Sequence, residues 1–177
     1  MAMAMLQAGG LPIATDGLRR ADDHNPAGYF EFERVKTLDK DADKSWLRDV
    51  RGQAIKIISF LLTELPESNN YRVIFMHRPI EEVLRSQQTM LRDTAPAPDS
   101  IPDERLAAGY QRHLDEVSQL LRRRACFEVL KVDYVAAVAD PVVTALRVSE
   151  FLGGGLDVPR MTAVIDQRLH RNRQLTD

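Results

Sequence analysis

The residues of this sequence best suited to chemistry lie where an apolar run gives way to a helix. Tyr71 to Met76 is such a run. It ends in His77-Arg78-Pro79, and Pro79 with Glu81 and Glu82 marks the first turn of a helix. Arg78 is thereby placed at a strand tip, and Ser86 falls about two turns into the helix that follows. A guanidinium is a planar, permanently charged fork that matches phosphate oxygens, and a serine hydroxyl adds a further hydrogen bond. In isolation Arg78 reads as an ordinary surface or helix-capping arginine. With Ser86 in register and the flanking segments described below, it reads as a phosphate site. Tyr134 stands at the end of a second apolar run, where a packed strand-end tyrosine is the bland alternative. Arg168, His170, Arg171 and Arg173 make the C-terminal segment basic, which by default is a solvated tail. No Cys/His cluster has metal-ligand spacing, so no metal is expected.

The elements that must position these groups follow from the apolar pattern. Residues 1 to 8 are good helix formers with Gly9-Gly10 as a stop, and Leu11 to Thr15 reads as a short strand. A polar loop spans Asp16 to Gly28, and residues 31 to 50 read as helical. Ala54 to Ile58, Tyr71 to Met76 and Phe127 to Val132 are short runs rich in Val, Ile and Phe, as expected of parallel strands covered on both faces. Between the last two, Leu106, Tyr110, Leu114, Val117 and Leu121 recur at helical spacing over roughly 102 to 124. The stretch from Thr94 to Pro102 carries three prolines and reads as a mobile surface loop. Asp140-Pro141 opens a helix that stops at Gly153-Gly154-Gly155, and Pro159 starts a last short one. Arg122-Arg123-Arg124 ends a helix, where cations complement the dipole, and is read as structural. Strands alternating with helices give an α/β fold, and 177 residues suit one domain spanning 1–177.

The run from Arg78-Pro79-Ile80-Glu81 to Ser86 resembles the 3′-phosphate site of PAPS-dependent sulfotransferases. Asn25-Pro26-Ala27-Gly28-Tyr29-Phe30-Glu31 is similar to the Asn-Pro-x-Gly-Tyr-x-Glu segment of bacterial sulfotransferase-like proteins. Val132-Asp133-Tyr134, then Ala139-Asp140-Pro141 and Phe151-Leu152-Gly153, resembles that family's last strand and following helix. The order and spacing of these segments cover nearly the whole chain. The resemblance implies a P-loop NTPase-like parallel sheet in three layers, flanked by helices. It also implies PAPS, or adenosine 3′,5′-bisphosphate, as co-substrate, held by Arg78, Ser86 and Tyr134, with Arg171 and Arg173 of the basic segment returning to the 3′-phosphate.

One part of the family pattern is missing. The loop resembling Gly-x-Pro-Arg-Ser-Gly-Thr-Ser, whose backbone N–H groups cradle the 5′-phosphosulfate, has no counterpart, and no Gly-x-x-x-x-Gly-Lys-Ser/Thr run occurs. Residues 1 to 10 resemble the helix that follows that loop, so the expected sheet lacks its central first strand, between 54–58 and 71–76. The domain accordingly reads as N-terminally truncated. The histidine that the cytosolic branch carries after a Lys-Thr pair is also absent, because Lys56-Ile57-Ile58 occupies the similar place. Glu31, Glu33 and His24 are the remaining bases for the acceptor proton. Glu31 is chosen because it closes the Asn-Pro-x-Gly-Tyr-x-Glu segment, although a carboxylate in a first helical turn explains it as well. Lys56 either faces the sulfate or snorkels from its strand end.

Composition narrows the remaining classes. Lys plus Arg number 24 against 26 Asp plus Glu, a formal charge of −2, which disfavours nucleic-acid binding by bulk charge. The single Cys126 cannot close an internal disulfide and points to a reducing cytoplasmic compartment, with a buried side chain beside Phe127 as its role. No apolar stretch approaches the roughly 20 residues of a membrane span. The expected partner is a small-molecule acceptor with a hydroxyl or amine, with neither nucleic acid nor membrane, and a homodimer is allowed. The competing readings are a P-loop small-molecule kinase and a degenerate, non-catalytic binding or assembly module. The missing loop favours the last of these and predicts an inactive chain.

Overall fold

The computed structural model describes residues 1–18, 28–84 and 103–165. Helix α1 (Ala2–Ala8) leads into strand β1 (Ile13–Ala14), and α2 (Glu33–Lys36) and a 3-10 turn (Ser45–Arg48) precede β2 (Ala54–Ile55). A second 3-10 turn (Ser59–Glu64) precedes β3 (Tyr71–His77), after which residues 80–84 begin α3. Then come α4 (Asp103–Arg123), β4 (Phe127–Asp133), α5 (Tyr134–Ala139), α6 (Pro141–Phe151) and α7 (Val158–Ala163). The architecture is α/β with short parallel sheets. The expected loop over 94–102 lies outside the described residues.

Parallel pairing joins β1 to β2, with Ile13 opposite Ala54, and joins β3 to β4 in register from Tyr71 opposite Phe127 to His77 opposite Asp133. Four parallel strands therefore stand near their expected positions. Among the described residues, however, they form two two-stranded sheets, and no ladder links β1 or β2 to β3 or β4.

Strand alternation gives each sheet two apolar faces, and the same two clusters cover both. On one side Ile55, Tyr71, Val73 and Phe75 pack with Trp46, Leu62, Val117 and Leu121. On the other side Ile13, Ala54, Ile74 and Met76 pack with Met5, Val132, Ala145, Val148 and Met161. Helix α4 thus closes the first cluster, and α1, α6 and α7 close the second. Cys126 is buried in the first cluster beside Phe127.

Two expectations need correction. The helix over 31–50 is broken into α2 and the 3-10 turn, because local carboxylates compete for the backbone: Asp41 accepts from the Asp43 N–H at 3.1 Å and Asp43 from the Ser45 N–H at 2.9 Å. Strand β2 stops at Ile55, and the chain from Ile58 turns into the 3-10 segment. The stretch from Tyr134 to Ala139 is helical, capped by the Asp133 carboxylate on the Ala136 N–H at 2.8 Å. Elsewhere the stop signals act as expected. Gly153, Gly154 and Gly155 all take positive φ, and the Gly154 N–H closes back on the Ser149 carbonyl at 2.7 Å, which ends α6. No described helix is long and apolar enough to cross a membrane.

Candidate functional site

Arg78 leaves β3 at its C-terminal end, the end at which parallel sheets bind ligands. Its Nε donates to Glu82 Oε2 at 2.9 Å, one helical turn on, and its guanidinium carbon lies 4.7 Å from the centroid of the Tyr134 ring. Tyr134 opens α5 directly after β4, so register between the two strands brings the pair together: His77 is opposite Asp133, and Arg78 and Tyr134 follow them. The Glu82 side chain is only 6% exposed, which makes it the buried counter-charge of Arg78. Sequence reading assigned Glu82 to the helix dipole alone. Its spacing four residues after Arg78 is the signal that reveals the pair. A guanidinium has five donors, so the bond from Nε leaves the two terminal amino groups for an oxyanion. Ser86, Arg171, Arg173 and His24 lie outside the described residues.

Glu31 and Lys56 also come together. Gly28 at φ 84° and Phe30 at φ 51° redirect the chain through the Gly28–Glu31 segment. A phenylalanine in the left-handed region is strained, and the segment is held by bonds on both sides. Lys56 Nζ donates to the Tyr29 carbonyl at 3.0 Å, and the Thr15 hydroxyl donates to the Glu31 carbonyl at 2.9 Å. The Glu31 carboxylate then meets Lys56 Nζ at 3.9 Å through Oε1 and Lys36 Nζ at 3.1 Å through Oε2, with 17% of its side chain exposed. Lys36 was absent from the sequence-based site. Hydrogen bonds to Glu33 and then Glu31 hold its ammonium above the ordinary lysine range. Lys56 also acts on the start of α1: burial first, and then the Lys56 charge, hold the Met1 amino group below its ordinary value. The arrangement is a carboxylate between ammonium groups at the end of β2. It can hold or accept a proton, and it can place positive charge before an anion.

A third pair sits on the opposite face of the β3–β4 tip. His77 Nδ1 is 3.4 Å from Asp133 Oδ2. The Ala136 N–H, and more weakly His77, hold the Asp133 carboxyl below its ordinary value against the opposing effect of desolvation. Sequence reading passed over this pair because its residues lie on different strands. No group of His, Cys, Asp and Glu among the described residues is arranged to hold a metal ion.

Compared with family models, curated proteins and solved structures, the chain matches none of them.

Proposed function

We propose that this chain is a sulfotransferase-like domain that binds adenosine 3′,5′-bisphosphate, the nucleotide core of PAPS. The observation that carries the reading is Arg78 at the tip of a parallel strand, stacked on Tyr134 and braced by Glu82. Two of the five side chains that the resemblance names, Arg78 and Tyr134, meet there, and the free terminal amino groups of Arg78 fit a 3′-phosphate. The finer architecture proposed with it is the P-loop NTPase-like layered sheet, in line with two parallel sheets lying between the same two apolar clusters.

In an active relative of this design, the sulfuryl group passes from PAPS to a hydroxyl or amine of a small acceptor, and a base takes the acceptor proton. Glu31 is the carboxylate available for that proton, and Lys56 and Lys36 supply positive charge beside it. The 5′-phosphosulfate needs a cradle of backbone N–H donors, and the sequence contains no such loop. We therefore infer that the 177-residue chain binds the nucleotide without transferring sulfate.

The test is calorimetry on the folded chain with adenosine 3′,5′-bisphosphate beside Mg²⁺–ATP. Binding of the bisphosphate that is lost in Arg78→Ala supports the site. Preference for Mg²⁺–ATP would support a kinase-like domain instead and sink the sulfotransferase reading.

A further inference from the structure

We propose that the cavity under α4, at the C-terminal ends of β3 and β4, binds a small molecule through a phosphate or carboxylate group. This site is separate from Arg78 and Tyr134 and does not depend on the function proposed above. Its volume is about 420 Å³, within the size range of small-molecule sites. Register builds its floor. Phe75 is opposite Lys131 and His77 opposite Asp133, so alternation turns all four toward the same face. Phe75 and Leu114 supply an apolar wall for the carbon skeleton of a ligand.

The polar wall sets two carboxylates against two cations, and among the described residues only the carboxylates have hydrogen-bond partners. Its two carboxylates already have partners: Asp133 takes the Ala136 N–H at 2.8 Å and faces His77, and Asp115 accepts from Gln111 Nε2 at 3.1 Å. Its two permanent cations have none, because among the described residues neither Lys131 nor Arg147 forms an ion pair or hydrogen bond through its side chain. Thr144 is the second, independent observation. This residue is 7% exposed, lines the cavity, and its hydroxyl makes no hydrogen bond among the described residues. The hydroxyl lines the cavity wall with no partner among the described residues to compete, so a ligand oxygen can pair with it.

The His77–Asp133 pair adds polarity of a different kind. The cavity therefore combines two cations and a hydroxyl for an oxyanion, a histidine–aspartate pair, and an apolar wall.

The experiment is a titration of the ¹⁵N-labelled full chain, at fixed ionic strength, with sodium phosphate and separately with sodium succinate. We expect saturable shifts of the Lys131, Thr144 and Arg147 amides with at least one of the two. Arg147→Gln and Lys131→Gln should each weaken that binding about tenfold, the scale of one lost charged hydrogen bond. Both side chains are exposed, so the variant spectra should otherwise superpose. Thr144→Val should weaken binding and Thr144→Ser should restore it. Arg78→Ala should leave these shifts unchanged. Response to phosphate alone assigns a phosphorylated ligand, and response to succinate alone a carboxylate. The absence of saturable shifts with either anion overturns the proposal, as does binding that Arg147→Gln and Lys131→Gln leave intact.

Discussion

Arg78 and Tyr134 meet across the β3–β4 ladder, the guanidinium carbon 4.7 Å from the ring centroid, while Glu82 holds Arg78 Nε at 2.9 Å. The stack and the ion pair together fix the plane of the guanidinium, so its terminal donors point in one direction before any ligand arrives. Pre-organisation of this kind lowers the ordering cost of binding.

The first prediction concerns that geometry. Arg78→Ala should weaken adenosine 3′,5′-bisphosphate by about 1.5–3 kcal/mol, the range for hydrogen bonds to charged groups. Arg78→Lys should not restore affinity, because an ammonium neither stacks nor forks as a guanidinium does. Calorimetry measures both, and unchanged affinity in Arg78→Ala removes Arg78 from the site.

A second prediction concerns turnover. Supplied with PAPS and a phenolic acceptor, the 177-residue chain should release no sulfated product above background. Loss of a single donor to developing charge already costs roughly 100- to 1,000-fold, and a whole cradle supplies several. Sustained product formation, followed by chromatography, would show that another segment holds the phosphosulfate.

Asp133 sets a pH dependence. Its carboxyl is held below the ordinary aspartate value, chiefly by the Ala136 N–H at the start of α5. A group depressed in the folded state stabilises the fold above its unfolded value, and that stability is lost as the pH falls through the lower folded value. Asp133→Ala should cost about 1 kcal/mol near neutral pH through the lost cap. Asp133→Asn should keep most of the cap and flatten the acid limb. Urea midpoints measured from neutral pH down to strong acid decide this, and an unchanged acid limb in Asp133→Asn would refute the assignment.

Two glycines should respond to alanine in opposite directions. A Cβ at Gly9 would come 2.7 Å from Met161 Cγ and 3.3 Å from Leu156 Cβ, and Met161 is fully buried. The φ of Gly9 is −72°, so the cost is steric: Gly9→Ala should lose about 1–3 kcal/mol by overpacking the α1–α7 contact. At Gly109, within α4, a Cβ meets nothing within 4 Å, so Gly109→Ala should gain about 0.5–1 kcal/mol. Chemical denaturation with constant slope checks both signs.

The sequence by itself determined the elements whose signal is local. β3 and β4 are short runs rich in Val, Ile and Phe, α4 carries a sustained helical period, and α6 is bracketed by Asp140-Pro141 and a glycine triplet. Each outcome depends on residues within a few positions of one another, and the expected and observed spans agree closely. The tip position of Arg78 was legible for the same reason.

Tertiary structure decided what depends on residues far apart in the chain. Pairing across β3 and β4 placed Tyr134 under Arg78 and His77 beside Asp133, and no single-segment pattern encodes that register. The path through Gly28 and Phe30 brought Glu31 to Lys56 and Lys36, because the Lys56 ammonium and the Thr15 hydroxyl staple its carbonyls. Division into two sheets likewise arises from pairing between distant strands, since the four strands share both apolar faces and the alternating pattern alone does not choose their neighbours. The break between α2 and the 3-10 turn is the exception. Its cause, Asp41 and Asp43 bonding N–H groups two residues on, is local, but apolar periodicity registers only side-chain burial and is blind to that competition.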